Sequence, residues 1–168
     1  MSYQEKRTIV MMITSALVLG AYCIYAFGQV QAGAVIPGDL KFWARTVLVF
    51  IGIGIAATIV LQIIFHILMS IGITVGKKIR NEDLADEEIN KSIQAEMIED
   101  EMDKLIELKS NQISIMVSGF GFVAALIAVL LGNSAVMLIN MVFISFSLGM
   151  IIEGFAKLYY YRRGIRHA

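Results

Sequence analysis

Four residues in this chain have side chains and positions that could do chemistry: His66, Asp103, Glu107 and Glu153. His66 and Glu153 stand inside long apolar runs, whereas Asp103 and Glu107 stand where a charged segment turns into another such run. An ionisable side chain inside a hydrocarbon-spanning segment is costly and marks a functional position by default. An imidazole beside carboxylates relays protons near neutral pH or holds a divalent cation. Counting back from Lys77 and forward from Asn133 sets His66 and Glu153 at comparable depth, with Asp103 and Glu107 just beneath. The four therefore form one candidate polar or ion site.

A plainer reading competes with that one. Glu153 pairs with Lys157 four residues on, His66 bonds Gln62 one turn earlier or a neighbouring hydroxyl, and the acidic run is a solvated face. No His-x-x-x-His, Glu-x-x-His or Cys-rich spacing occurs, so neither a metal nor a cofactor is expected. The phosphate loop, Gly-x-Ser-x-Gly and His-Glu-x-x-His patterns are missing as well, and no catalytic residue is assigned.

These residues are positioned by elements that the composition already defines. Hydrophobic residues make up 58% of the 168, charged residues 17%, and the mean hydropathy is +0.74, outside the soluble range. Four apolar stretches, at about residues 8–27, 46–75, 113–131 and 135–158, reach or exceed the roughly 20 residues that one helical crossing needs. Lys6 and Arg7 before the first stretch, and Ala32-Gly33-Ala34 after it, imitate a signal peptide. The stretch is longer than the about 7 to 15 residues of a signal core, which predicts an uncleaved first helix. Pro37-Gly38-Asp39 marks a turn, Trp43 sits where an interfacial aromatic belongs, and Gly132-Asn133-Ser134 marks a second, tight turn. Cys23 is the single cysteine and reads as a small packing residue.

The expected fold is all-α: an integral membrane four-helix bundle of two helical hairpins, forming one transmembrane domain over residues 1–168. The joining segment, residues 76–112, is charged and rich in helix formers, so helices 2 and 3 are expected to extend into the cytoplasm. Glu87 with Lys91 and Asp100 with Lys104 have the favourable i,i+4 order. At 100° per residue, Ile98, Met102, Leu105 and Ile106 share a stripe that continues to Ile113, with Glu96, Asp100, Asp103 and Glu107 opposite. That stripe is a candidate partner-contact surface. Ala16 with Gly20, Gly72 with Gly76, and Ser145 with Gly149 have the small-xxx-small spacing of close helix approach, and Gly52, Gly54, Gly119 and Gly121 add thin points.

Of the 14 Lys and Arg residues, only Lys41 and Arg45 fall in the Pro37 loop and none in the Asn133 turn. The rest lie at the two ends or in the joining segment, which puts both termini and that segment in the cytoplasm of a cell membrane. The tyrosines Tyr159, Tyr160 and Tyr161, followed by Arg162 and Arg163, form an interfacial belt with headgroup-binding charge behind it. The acidic joining segment repels phosphate, so nucleic acid is not an expected partner.

The run from Asp100 to Ser110 resembles an acidic motif, Asp-Glu-Arg-Asp followed by Leu-Ile-Glu-Leu-Lys/Arg-Ser, of a family of small four-span bacterial membrane proteins with no settled activity. Met102 stands where that motif has arginine. The start, Ser2 to Arg7, and the end, Tyr160 to Gly164, resemble the family too. The resemblance implies a four-helix inner-membrane fold and, because such members lie beside helix-turn-helix regulators, a regulatory or stress-response context.

Three functions are expected, in descending order. The first is a non-enzymatic membrane protein that forms a homo-oligomer, or binds another membrane protein, through the Ile98, Met102, Leu105 and Ile106 stripe. The second is a small proton, cation or solute transporter using His66 and Glu153. The third is a metal-dependent membrane enzyme at Asp103 and Glu107.

Overall fold

The computed structural model describes residues 2–33, 38–79 and 100–164. They form four helices and, among the described residues, no strand: α1 Tyr3–Gln31, α2 Leu40–Ile79, α3 Glu101–Leu130 and α4 Ala135–Arg163. Each is long and apolar enough to cross a membrane, the pattern of a multi-pass membrane protein. All four overrun the expected spans. The 40 residues of α2 extend about 60 Å at 1.5 Å per residue, about twice a bilayer's hydrocarbon thickness.

The helix ends are set by local chemistry. Ser2 and Glu5 form a reciprocal capping box at the start of α1, and Asp39 Oδ1 accepts the Phe42 amide at 3.1 Å at the start of α2. At α3, Asp100 accepts the Asp103 amide at 2.7 Å while Asp103 accepts the Asp100 amide at 3.0 Å. Asp100 is therefore a cap rather than the expected i,i+4 partner of Lys104, which instead lies 4.0 Å from Glu101. The Gly132-Asn133-Ser134 turn forms as expected. Gly132 adopts φ 93°, Asn133 Nδ2 donates to the Ala128 carbonyl at 2.9 Å, and Ser134 caps α4.

Helix α4 is the hub, packing against α1, α2 and most extensively α3. The α3–α4 seam is made of small residues. Ser110, Ser114, Ser118, Ala125 and Ala128 line the buried face of α3 and Gly149 is buried opposite them on α4, whereas buried Gly154 faces Met12 of α1. A Cβ on Gly149 would lie 2.6 Å from Ser118 Oγ and 2.9 Å from the Ser114 carbonyl oxygen, so glycine is needed for this approach. Seam and core hydroxyls bond back to the carbonyl four residues earlier, as in Thr14 to Val10 at 2.8 Å and Ser145 to Met141 at 2.7 Å. Such a bond satisfies a hydroxyl that lipid cannot.

Towards the other end, Tyr22 of α1 is 1% exposed and sits between Phe50 of α2 and Phe143 of α4, ring centroids 5.2 and 4.5 Å away. Its hydroxyl donates to Asn140 Oδ1, and Asn140 Nδ2 donates to the Val136 carbonyl at 2.8 Å. Trp43 departs from expectation, because it is buried rather than facing lipid, edge-on to Phe42 at 5.6 Å. The outer surface is apolar, with Ile24, Phe120 and Leu130 fully presented.

Candidate functional site

Polar side chains from three helices meet at one end of the bundle. The face of α1 made by Gln4, Arg7, Thr8 and Met11 has the spacing of one helical stripe, and it meets Asp103 and Glu107 of α3 and Lys157 and Tyr161 of α4 around a cavity of about 50 Å³. That space is enough for a few water molecules. Gln4 and Thr8 are buried, and the Thr8 hydroxyl donates to the Gln4 carbonyl at 2.8 Å.

Lys157 organises the charges. Its ammonium lies 2.9 Å from Glu153 and 3.8 Å from Glu107, with Lys157 and Glu153 side chains only 17% and 21% exposed and Glu107 at the rim. Such a partly buried pair is worth more than a surface one, and removing one partner strands the other. The Glu153–Lys157 pair agrees with the plainer reading of the sequence. On the acidic side of α3, Asp100 and Glu107 are exposed, while Asp103 and Glu107 also border a cavity that Arg7 and Lys157 line.

The four residues that define the expected polar site are thus divided. Glu107 and Glu153 share Lys157, and Asp103 lines the same cavity as Glu107. His66 lies elsewhere, on α2, edge-on to the Tyr3 ring at 6.5 Å, beside a Tyr3–Phe65 contact at 5.4 Å. Gln62 donates to Met11 Sδ at 3.6 Å instead of holding the imidazole. Among the described residues, no three His, Cys, Asp or Glu side chains are grouped so as to hold a metal ion.

The expected contact stripe is divided too. Ile98 lies outside the described residues, Met102 is 45% exposed, Leu105 is half-buried and Ile106 is 2% exposed. The stripe is the flank of the packed face, because the face itself runs through Ile106, Ser110, Ser114 and Ser118. Ser110 Oγ is fully buried with no hydrogen-bond partner among the described residues.

Sequence reasoning missed Gln4, Arg7, Thr8 and Tyr161. The signal was available in the i, i+3, i+4, i+7 spacing of Gln4, Arg7, Thr8 and Met11, a polar stripe entering an apolar helix.

A second feature adjoins the cluster. Helices α2 and α3 have no extended packing against each other, and an apolar cleft of about 780 Å³ opens beside α4, walled by α1 and α2 with Phe122 of α3. A further lobe of about 610 Å³ between α3 and α4 shares Phe122, Val142, Phe146 and Met150 with it. The second lobe ends at Asn111 and Glu153. Glu153 therefore stands between the charged cluster and the cleft. Compared with protein-family models, curated proteins and solved structures, the chain matches none.

Proposed function

We propose that this chain is a non-enzymatic, multi-pass protein of the bacterial cell membrane that acts as an assembly with further copies of itself or with another membrane protein. In this reading α1 with α2 and α3 with α4 are hairpins, both ends are cytoplasmic by the Lys and Arg distribution, and α2 and α3 reach beyond the bilayer on that side. The observation that carries the proposal is the outward face of α2. Among the described residues, no side chain and no other helix comes within 4 Å of where a Gly52 Cβ would stand, and Ala56, four residues on, is exposed as well. Without a hydrophobic drive inside lipid, a small-xxx-small face is where another helix approaches closely.

The contact accordingly moves from the expected stripe to α2. Met102 can extend the surface, but Ile106 is committed to the chain's own core. A pathway through His66 and Glu153 has less support, because His66 stands exposed on α2 beside Tyr3 while Lys157 of α4 holds the Glu153 carboxylate. A metal-dependent activity at Asp103 and Glu107 has less support as well, since the Lys157 ammonium already serves the carboxylate of Glu107.

The test is the mass of the particle in lipid nanodiscs, measured by mass photometry for wild type and Gly52→Leu. A wild-type dimer or larger species that Gly52→Leu returns to monomer is expected. A monomeric wild type at micromolar concentration would refute assembly with itself.

A further inference from the structure

The cleft beside α4 has a polar terminus, at Asn111 and Glu153. Along α4 it runs from Val142 through Phe146 and Met150 to Glu153. Those 11 residues advance about 16 Å at 1.5 Å each, close to the about 15 Å of one leaflet in a 30 Å hydrocarbon core. Glu153 and Asn111 then stand at the depth where an acyl chain ends and a headgroup begins.

Charge decides which headgroup. Glu107 and Glu153 share a single ammonium, and Glu153 alone of the two also faces the cleft. A carboxylate has about four acceptor sites, and Lys157 fills one of those on Glu153. An N–H-bearing cation is the group that completes it, and a charge-assisted hydrogen bond is the stronger kind.

We propose that the cleft between α2, α3 and α4 seats a bilayer phospholipid with a primary-amine headgroup, one acyl chain along Val142, Phe146 and Met150 and the ammonium on Glu153. The inference rests on the four helices being membrane spans and is independent of self-association. A phosphate-only headgroup meets a carboxylate here and is disfavoured. A quaternary ammonium lacks the N–H donors.

The full chain is reconstituted in nanodiscs of equal phosphatidylethanolamine, phosphatidylglycerol and phosphatidylcholine, released into mild detergent, and its retained lipid identified by native mass spectrometry. Wild type is expected to retain the ethanolamine lipid about ten-fold over the other two, the factor that 1.4 kcal/mol represents. Glu153→Gln abolishes the preference, and Val142→Trp displaces retained lipid of every class. Retention in the bilayer ratio by wild type, or an unchanged preference in Glu153→Gln, would overturn the proposal. So would efficient cross-linking of Phe146→Cys between two copies in a Cys23→Ser background, which assigns the cleft to a protein helix. The same spectra report oligomeric state, so a lipid-selective monomer defeats the assembly reading and leaves this one standing.

Discussion

Adding one methyl group at Gly121 tests how α3 and α4 are held together. A Cβ at this position would fall on Ser145 Oγ and on Ser145 Cβ, with Ser145 Cα 3.5 Å away. The hydroxyl can rotate aside, but the Cβ cannot move without its backbone. Gly121→Ala therefore forces the two helices apart, and overpacking of this kind costs about 1 to 3 kcal/mol. With a β-carbon as the obstacle, the upper end applies. Alanine recovers about 1 kcal/mol of helix propensity relative to glycine, leaving a net loss of about 2 kcal/mol. Ser145→Gly vacates the site, so the double variant should regain most of that loss despite losing the 2.7 Å bond from Ser145 to the Met141 carbonyl. The measurement is reversible unfolding in mixed micelles followed by circular dichroism, run as a double-mutant cycle. A Gly121→Ala variant as stable as wild type, or a double variant no better than the single, would show that small-residue contact does not set the α3–α4 distance. Gly20→Ala serves as control: nothing lies within 4 Å of its Cβ position, and it should not destabilise the chain.

Tyr22→Phe keeps the ring packing but removes the donor to Asn140, and it should cost about 1 to 2 kcal/mol in the same unfolding assay. Lys157→Met leaves Glu153 and Glu107 without their shared cation and should destabilise by about 1 to 2 kcal/mol, below the fully buried case because water reaches the Glu107 rim. Asp100→Ala removes the carboxylate that accepts the Asp103 amide, while the residue-100 amide can still donate to Asp103, and it should cost about 1 kcal/mol, with hydrogen exchange accelerated at the Asp103 amide and unchanged at Met137.

Much of the architecture is legible in the sequence because it follows from length and polarity. Apolar runs of 20 or so residues become helices wherever lipid is the solvent, since every backbone group must be satisfied within the segment. The Asn133 turn is legible because Gly132 accepts a positive φ and Ser134 can cap. The Glu153–Lys157 pair is legible because it is local. The inward face of α3 is not, because hydropathy weights Ser110, Ser114 and Ser118 as neutral and draws attention to Met102 and Leu105 on the flank. Nor is the meeting of Asp103 and Glu107 with Arg7 and Lys157 around one cavity, since nothing near them in sequence announces residues of α1 and α4. The burial of Trp43 is invisible for a related reason: the interfacial preference of tryptophan describes the side chain facing lipid, and packing decides whether it does.

The difference between α2 and its neighbours follows from what can hold helices together when the solvent is itself apolar. Lipid removes the hydrophobic drive, leaving close packing and polar bonds. Helices α3 and α4 have both, through the serine and glycine seam and the Lys157 cluster, and α1 joins that cluster through Gln4, Arg7 and Thr8. Helix α2 has little of either. Its links to α1 are mostly ring and van der Waals contacts: Phe50 against Tyr22 and Tyr25, the Tyr3 ring contacts, Gly54 lying 3.7 Å from Val18 at the Cβ position and a weak Gln62 to Met11 sulfur bond. Large β-branched side chains such as Ile51, Ile55 and Ile59 hold it off α4, and the cleft is the space this leaves. A helix so loosely bound within its own chain loses little by meeting another molecule. The bulk of these isoleucines on its inner side therefore accounts for the cleft beside α4, while Gly52 and Ala56 stay exposed on a neighbouring face, open to a second molecule.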